Sequence, residues 1–142
     1  MSKLRLGARI GPLIRRVSRP MIDGYGELNQ DHNPVHYDDA HARSLGFRES
    51  IAHGSLVVAL LSEMLTERFR EGWLAGGTLG VKFVRPIYAE DTITADGQIV
   101  AEGMEGGALE WILDVWCENQ SGERVIVGSA RCRRRADESR PA

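Results

Sequence analysis

Along residues 109–117 the side chains fall into two alternating sets. Leu109, Trp111, Leu113, Val115 and Cys117 make one face; Glu110, Ile112, Asp114, Trp116 and Glu118 make the other. A period of two is that of a strand, and it predicts a half-buried strand with its odd-numbered face inward. The run Asn119-Gln120-Ser121-Gly122-Glu123 supplies a turn, and residues 124–132 return as the partner strand. Upstream, residues 78–85 and 92–101 read as a similar pair of strands around Pro86. A different period governs residues 54–70. Leu56, Leu60 and Met64 recur every four residues, as do Val57, Leu61, Leu65 and Phe69, which predicts a helix. Residues 56–61 are apolar all round, so that half is expected to be buried on every side. Glu63, Glu67, Arg68 and Arg70 carry the other half to solvent.

The first half of the chain is looser. Residues 22–28 predict a short helix, Asn33-Pro34 marks a turn, and Asp38-Asp39 opens a second short helix that Gly46 ends. One apolar helix followed by an antiparallel meander predicts an α+β fold in which a sheet wraps that helix. The chain has 142 residues, enough for one domain with its own core. That domain is read as residues 1–135, followed by a frayed polar tail at 136–142.

Charge and length exclude some partners. The net charge of −2 gives no bulk attraction for nucleic acid. No apolar run approaches the roughly 20 residues that span a bilayer. Residues 1–22 carry Lys3, Arg5, Arg9, Arg15, Arg16 and Arg19 and no acid; they read as a first strand with basic flanks, and a cytoplasmic location is expected. Cys117 and Cys132 flank the hairpin, and in the expected register they face Val125 and Glu110. They are therefore not opposite one another, and two buried reduced thiols are expected rather than a disulfide.

Two clusters carry chemistry. In Asp31-His32-Asn33-Pro34-Val35-His36 a carboxylate and an imidazole are paired within six residues; the imidazole can give or take a proton near neutral pH, and the carboxylate can accept one or orient a water. Pro34 forbids a continuous helix between them and holds Asn33 extended, so the turn can bring Asp31 and His36 to one water. His32 and His36 have the spacing of a helical metal pair, but Pro34 argues against that helix, and no metal is expected. The second cluster is Ala52-His53-Gly54-Ser55, at the start of the apolar helix. Free N–H groups and the positive end of the dipole lie there. Gly54 has no side chain to keep a ligand oxygen from its N–H.

The run Asp31-His32-Asn33-Pro34-Val35-His36, then Gly46-Phe47, then Ile51-Ala52-His53-Gly54, resembles the MaoC-like, (R)-specific enoyl-CoA hydratases. The likeness continues through Val81-Lys82-Phe83-Val84-Arg85-Pro86 and Asp91-Thr92. It implies the hot-dog fold, usually dimeric, and a hydro-lyase that adds water to trans-2-enoyl thioesters to give (R)-3-hydroxyacyl thioesters, or the reverse. Asp31 and His36 fall on the family's water-activating pair, Asn33 on a brace behind it, and Gly54 on the glycine whose N–H polarises the thioester carbonyl. Ser62 falls on a helix serine that supports the aspartate in some members. Ser55 and His53 are expected to flank the substrate, His53 mainly as a structural donor in the loop. The implied partner is an acyl-CoA or acyl-carrier-protein thioester, with a homodimer as the assembly. No cofactor is implied beyond the CoA that arrives as part of the substrate.

Three positions depart from the pattern: Gln30 where a glycine or other small residue is common, Ser50 where proline is, and Glu90 where glycine precedes Asp91. Two rival readings remain. A hot-dog thioesterase would carry its acid on the central helix, where Glu63 is the only carboxylate in the first ten residues. A non-catalytic acyl-binding or heterodimer subunit would not need Asp31, His36 and Gly54. Finally, Leu56, Val57, Leu60 and Leu61 are expected to fill much of an acyl tunnel, favouring short to medium chains.

Overall fold

The computed structural model describes residues 3–135, so the tail expected at 136–142 lies outside the described residues. The alternating stretch forms β4 (Ala108–Glu118), and Trp111, Leu113, Val115 and Cys117 are each 2% exposed or less. Before it runs β3 (Thr92–Glu105), after it β5 (Arg124–Arg133); β1 (Leu13–Arg16) and β2 (Thr78–Phe83) complete the strands. The helices are α1 (Arg19–Asn29), α2 (Asp39–Ser44), α3 (Gly54–Phe69) and α4 (Glu71–Leu74), with a 3-10 turn at Pro34–His36. All five strands form one antiparallel sheet in the order β1-β3-β4-β5-β2, and α3 packs against β1, β3 and β4.

The expected pairing of residues 78–85 with 92–101 does not occur. β2 pairs with β5, while β3 lies between β1 and β4. Tight hairpins decide this. Gly106 and Gly107, both at positive φ (57° and 82°), make the two-residue turn that joins β3 to β4, and residues 119–123 join β4 to β5. With both sides of β4 taken, β2 finds a free edge only beyond β5. The segment at residues 84–91, carrying Pro86, crosses from one edge of the sheet toward the other.

The cysteine register is also corrected, by one residue. Cys117 faces Ile126 and Cys132 faces Trp111, because a bulge falls between Cys117 and Glu118. That extra residue explains why Val125 and Ile126 are both fully buried, since a bulge turns two successive side chains off the strict alternation. The thiols are free, buried and not opposite one another.

Helix α3 departs from the expected all-round burial. Val57, Leu60, Leu61, Met64, Leu65 and Phe69 are buried, but Leu56 and Val58 are half-buried and Ala59 is exposed. One sheet can cover only one side of a helix. The other side of this chain is left to a cavity and to solvent.

Candidate active site

Asp31 is delivered by the end of α1. Ser18 caps that helix by accepting from Met21 N–H (3.3 Å), and Pro20 sits in its first turn. The helix stops at Gln30, whose backbone is left-handed (φ 54°, ψ 35°), and Asp31 N–H then donates to Gly26 O at 2.9 Å. Gly26 matters for a second reason: a Cβ there would meet the Tyr37 hydroxyl at 1.6 Å. That hydroxyl donates to Asp31 O at 2.8 Å, so the bare glycine lets Tyr37 pin the Asp31 backbone.

The turn after Asp31 is held by Asn33. Its N–H donates to Asp31 Oδ1 (3.1 Å), and its own Oδ1 accepts from Val35 N–H (3.1 Å). Asn33 thus ties the turn on both sides. Val35 is buried and its carbonyl accepts from Ile51 N–H at 3.0 Å. This ties the turn to the chain just before α3, and His36 Nδ1 lies 2.8 Å from Ile51 O. A carbonyl only accepts, so Nδ1 carries the proton and the neutral ring leaves Nε2 bare.

Asp31 Oδ2 stands 3.8 Å from His36 Nε2. Both atoms are acceptors, and the gap is too long for a direct hydrogen bond. A water oxygen about 2.8 Å from each can donate one proton to either. His36 is mostly buried, its side chain 12% exposed, while the Asp31 side chain is 42% exposed.

His53 lies behind this pair rather than in a substrate-facing loop. It is 2% exposed and its ring stacks on that of His36, centroids 3.8 Å apart and planes at 29°. Its Nε2 is 3.7 Å from Asp31 Oδ2 and 3.3 Å from the Tyr37 hydroxyl. Burial lowers the His53 pKa below the ordinary imidazole value, and a charge on His36 lowers it further, against the pull of Asp31. Burial and the Asp31 charge together raise that of Tyr37, which keeps its hydroxyl a donor.

Asp31, His36 and His53 thus bring a carboxylate oxygen and two ring nitrogens within 4.8 Å of one another, a spread that would suit a metal ion. The tautomers argue otherwise. Tyr37 gives its proton to Asp31 O, so it must accept from His53 Nε2–H, and that nitrogen has no lone pair left for a metal. His32, the other candidate ligand, is exposed and is not part of the group.

Beside His36 opens an apolar cavity of about 480 Å³, lined by Ile51, Ala52, Gly54, Ser55, Val58, Phe83, Arg85, Pro86 and Ile87 as well. It begins at the start of α3, where no side chain caps the helix. The phenyl ring of Phe83 rests on Gly54: a Cβ at that position would come within 2.6 Å of it. Ser55 accepts from the Tyr25 hydroxyl at 2.6 Å, leaving its own proton free to donate. The tunnel walls differ from the expectation. Val57, Leu60 and Leu61 turn to the core, and Val58 is the apolar side chain of α3 that lines the cavity, beside Ser55.

Ser62 does not reach Asp31. Its Oγ accepts from Trp73 Nε1 at 3.1 Å, linking α3 to α4. Eight residues separate it from Gly54, about 12 Å along a helix, which puts it at the wrong end of the site. Of the other departures from the family pattern, two fall where glycine would be unstrained and one is accounted for by its hydrogen bonds. Gln30 and Glu90 both occupy left-handed backbone, at φ 54° and 73°, where glycine is the unstrained residue. Ser50 uses what proline lacks, since its N–H donates to Asp39 Oδ1 at 2.9 Å. Its hydroxyl also accepts from Arg19, whose guanidinium donates to His36 O at 2.7 Å. Nothing in the spacing of residues flagged Arg19 or Tyr37, because each acts on the site through backbone carbonyls that only the folded chain brings near.

A family described as MaoC like domain matches residues 9–110. The mitochondrial 3-hydroxyacyl-[acyl-carrier-protein] dehydratase of Solanum lycopersicum is 31% identical over 126 residues, which cover 86% of this chain and 74% of that protein. The (R)-specific enoyl-CoA hydratase of Aeromonas caviae is 29% identical over 91 residues, covering 63% of this chain and 66% of that one. A solved (R)-hydratase from A. caviae has the same fold, with a TM-score of 0.74 at 24% identity over 92% of this chain and 97% of that one. So does the ChsH1–ChsH2 complex of Mycobacterium tuberculosis, with a TM-score of 0.75 at 19% identity over 92% and 98%. The sheet and central helix are the hot-dog fold that the motifs imply.

Proposed function

Since the chain belongs to the MaoC-like hydratase/dehydratase family of hydro-lyases, we propose that it adds water to trans-2-enoyl thioesters, giving (R)-3-hydroxyacyl thioesters, or runs the reverse. The observation that carries this reading is the 3.8 Å gap between two acceptors, Asp31 Oδ2 and His36 Nε2, at the mouth of an apolar cavity. Such a gap holds a water by both protons and aims its lone pair outward. As the water oxygen bonds to Cβ, His36 Nε2 takes one of its protons, and the Asp31 carboxylate stabilises the resulting imidazolium. The electron pair of the double bond moves toward the thioester oxygen, where Gly54 N–H and the α3 dipole meet the developing charge. The imidazolium then gives the proton it took to Cα, which returns His36 to its neutral form and completes the addition. The step needs neither metal nor redox cofactor, and CoA or an acyl carrier protein enters only with the substrate.

The thioesterase alternative is less well supported. Its natural acid, Glu63, is paired with Arg15 at 2.5 Å and is not among the residues lining the cavity. We further propose a homodimer acting in the cytoplasm; no helix among the described residues is long and apolar enough to cross a membrane. Incubation with crotonyl-CoA tests the activity. Loss of the enoyl absorbance without thiol release is expected; release of free thiol would identify a thioesterase, and no change would identify a non-catalytic subunit.

A further inference from the structure

We propose that His53 is a positioning residue of this site: stacked on His36 and oriented by Tyr37, it fixes both the plane of the His36 ring and the carboxylate of Asp31. Its effect on turnover rests on the hydratase reading above; its effect on His36 does not.

His53 packs against two rings and meets a third, that of Tyr37, edge-on at 6.0 Å. His36 lies flat against it at 3.8 Å, and Tyr25 is tilted at 58° on a centroid distance of 5.1 Å. Apart from the edge of the Tyr37 ring at 6.1 Å, the His36 ring is held by one hydrogen bond, from Nδ1 to Ile51 O, about which it can rock. A face-to-face neighbour removes that freedom. Along its edge, His53 Nε2–H points between the Tyr37 hydroxyl at 3.3 Å and Asp31 Oδ2 at 3.7 Å. The same carboxylate oxygen therefore faces Nε2 of both imidazoles, one bare and one protonated.

Filling space does not account for a histidine here. Its Nδ1 is buried with no hydrogen-bond partner, and a buried polar atom left unpaired is destabilising. Phenylalanine or leucine would fill the volume without that cost. What they lack is the Nε2–H between Tyr37 and Asp31. Burial keeps His53 neutral, so its Nε2–H, shared with the Tyr37 hydroxyl, faces the carboxylate without competing with His36 for the proton of the water.

The test uses His53→Gln, which removes the ring; His53→Phe, which keeps a stacked ring without the N–H; and Tyr37→Phe, which removes the hydroxyl that orients it. Crotonyl-CoA hydration gives kcat and KM, and ¹⁵N-resolved NMR of the imidazoles gives the tautomer of His36. Misplacing a reacting group by about 1 Å costs on the order of 10²-fold. His53→Gln and Tyr37→Phe are expected to lower kcat toward that extent with KM nearly unchanged, and His53→Phe to recover part of the loss. In His53→Gln the His36 ring should pass from one fixed tautomer to an average of two. A folded His53→Gln with wild-type kcat, or with wild-type His36 signals, overturns the proposal. Should that variant not fold, His53→Leu, which fills the space with neither ring nor N–H, decides by the same two readings. If the wild-type chain hydrates nothing, the hydratase reading fails, while the NMR comparison still decides the role of His53.

Discussion

At the scale of single residues, the site is a matter of which lone pairs are free. Ile51 O accepts from His36 Nδ1, and with the ring held in place the bare Nε2 is the base of the proposed mechanism. Asp31→Asn and His36→Gln are each expected to lower kcat by about 10²–10⁴-fold, or about 3–5 kcal/mol in the barrier, with melting behaviour kept. In the proposed mechanism both groups hold one water, so the double variant should be little worse than either single one. Wild-type kcat in a folded Asp31→Asn would falsify the mechanism. His53 makes a second prediction, on stability. Its folded pKa lies below the ordinary value of about 6.5, so the unfolded chain takes up the proton first. Stability contributed by neutral His53 is complete above that value and is lost as pH falls through the lower, folded one. Urea midpoints from neutral to mildly acidic pH should fall more steeply for wild type than for His53→Gln; equal slopes would mean that His53 is not the group responsible. A third concerns the two left-handed residues. Gln30 is exposed, so Gln30→Gly relieves backbone strain and should raise stability by up to about 1 kcal/mol. Glu90 instead accepts from Arg19 N–H at 2.9 Å and pairs with Arg16. Glu90→Gly should therefore lower the melting temperature, the opposite sign at a similar φ.

At the scale of elements, the structure shows how far periodicity reaches. It identified β4, the β4–β5 turn and α3 to within a residue or two, because each is long and buries one regular face. It could not say which strands pair, since alternation is a property of one strand alone. The Gly106-Gly107 turn was written in the sequence and would have joined β3 to β4, leaving β2 for the far edge. The bulge at Cys117/Glu118 had no such signal. Cys117 sits on the buried face of β4 at 0% exposure, and burial pushes its thiol up to about 12. Reactive thiols are exposed and of lowered pKa, so iodoacetamide at mildly alkaline pH should leave Cys117 unmodified in the native protein and label it once the chain is denatured. Rapid native labelling, mapped by peptide mass, would show that β4 opens readily.

At the scale of the whole molecule, the feature to explain is what one chain leaves uncovered. The outer edge of β2 pairs with no other strand of the sheet, and Phe83 and Val84 at its end are 56% and 46% exposed. Ala59 on the open side of α3 is exposed too. Unpaired edges with apolar side chains invite a second sheet. A homodimer is expected by light scattering at micromolar concentration; a clean monomer would count against it, and activity gained only on adding a different hot-dog chain would point to a heterodimer.

The sequence by itself determined the elements with strong periods, the turn at Asn33-Pro34, the start of α3 at Gly54 and the pairing of Asp31 with His36, because short-range sterics and motif spacing act within a few residues. Tertiary structure decided everything that depends on distant segments meeting. It placed His53 against His36 and Tyr37 under Asp31. It set β2 beside β5, turned Val58 rather than Leu60 toward the cavity, and gave Ser62 to Trp73. Local patterning says which face of an element is apolar; only packing against the rest of the chain says what that face meets.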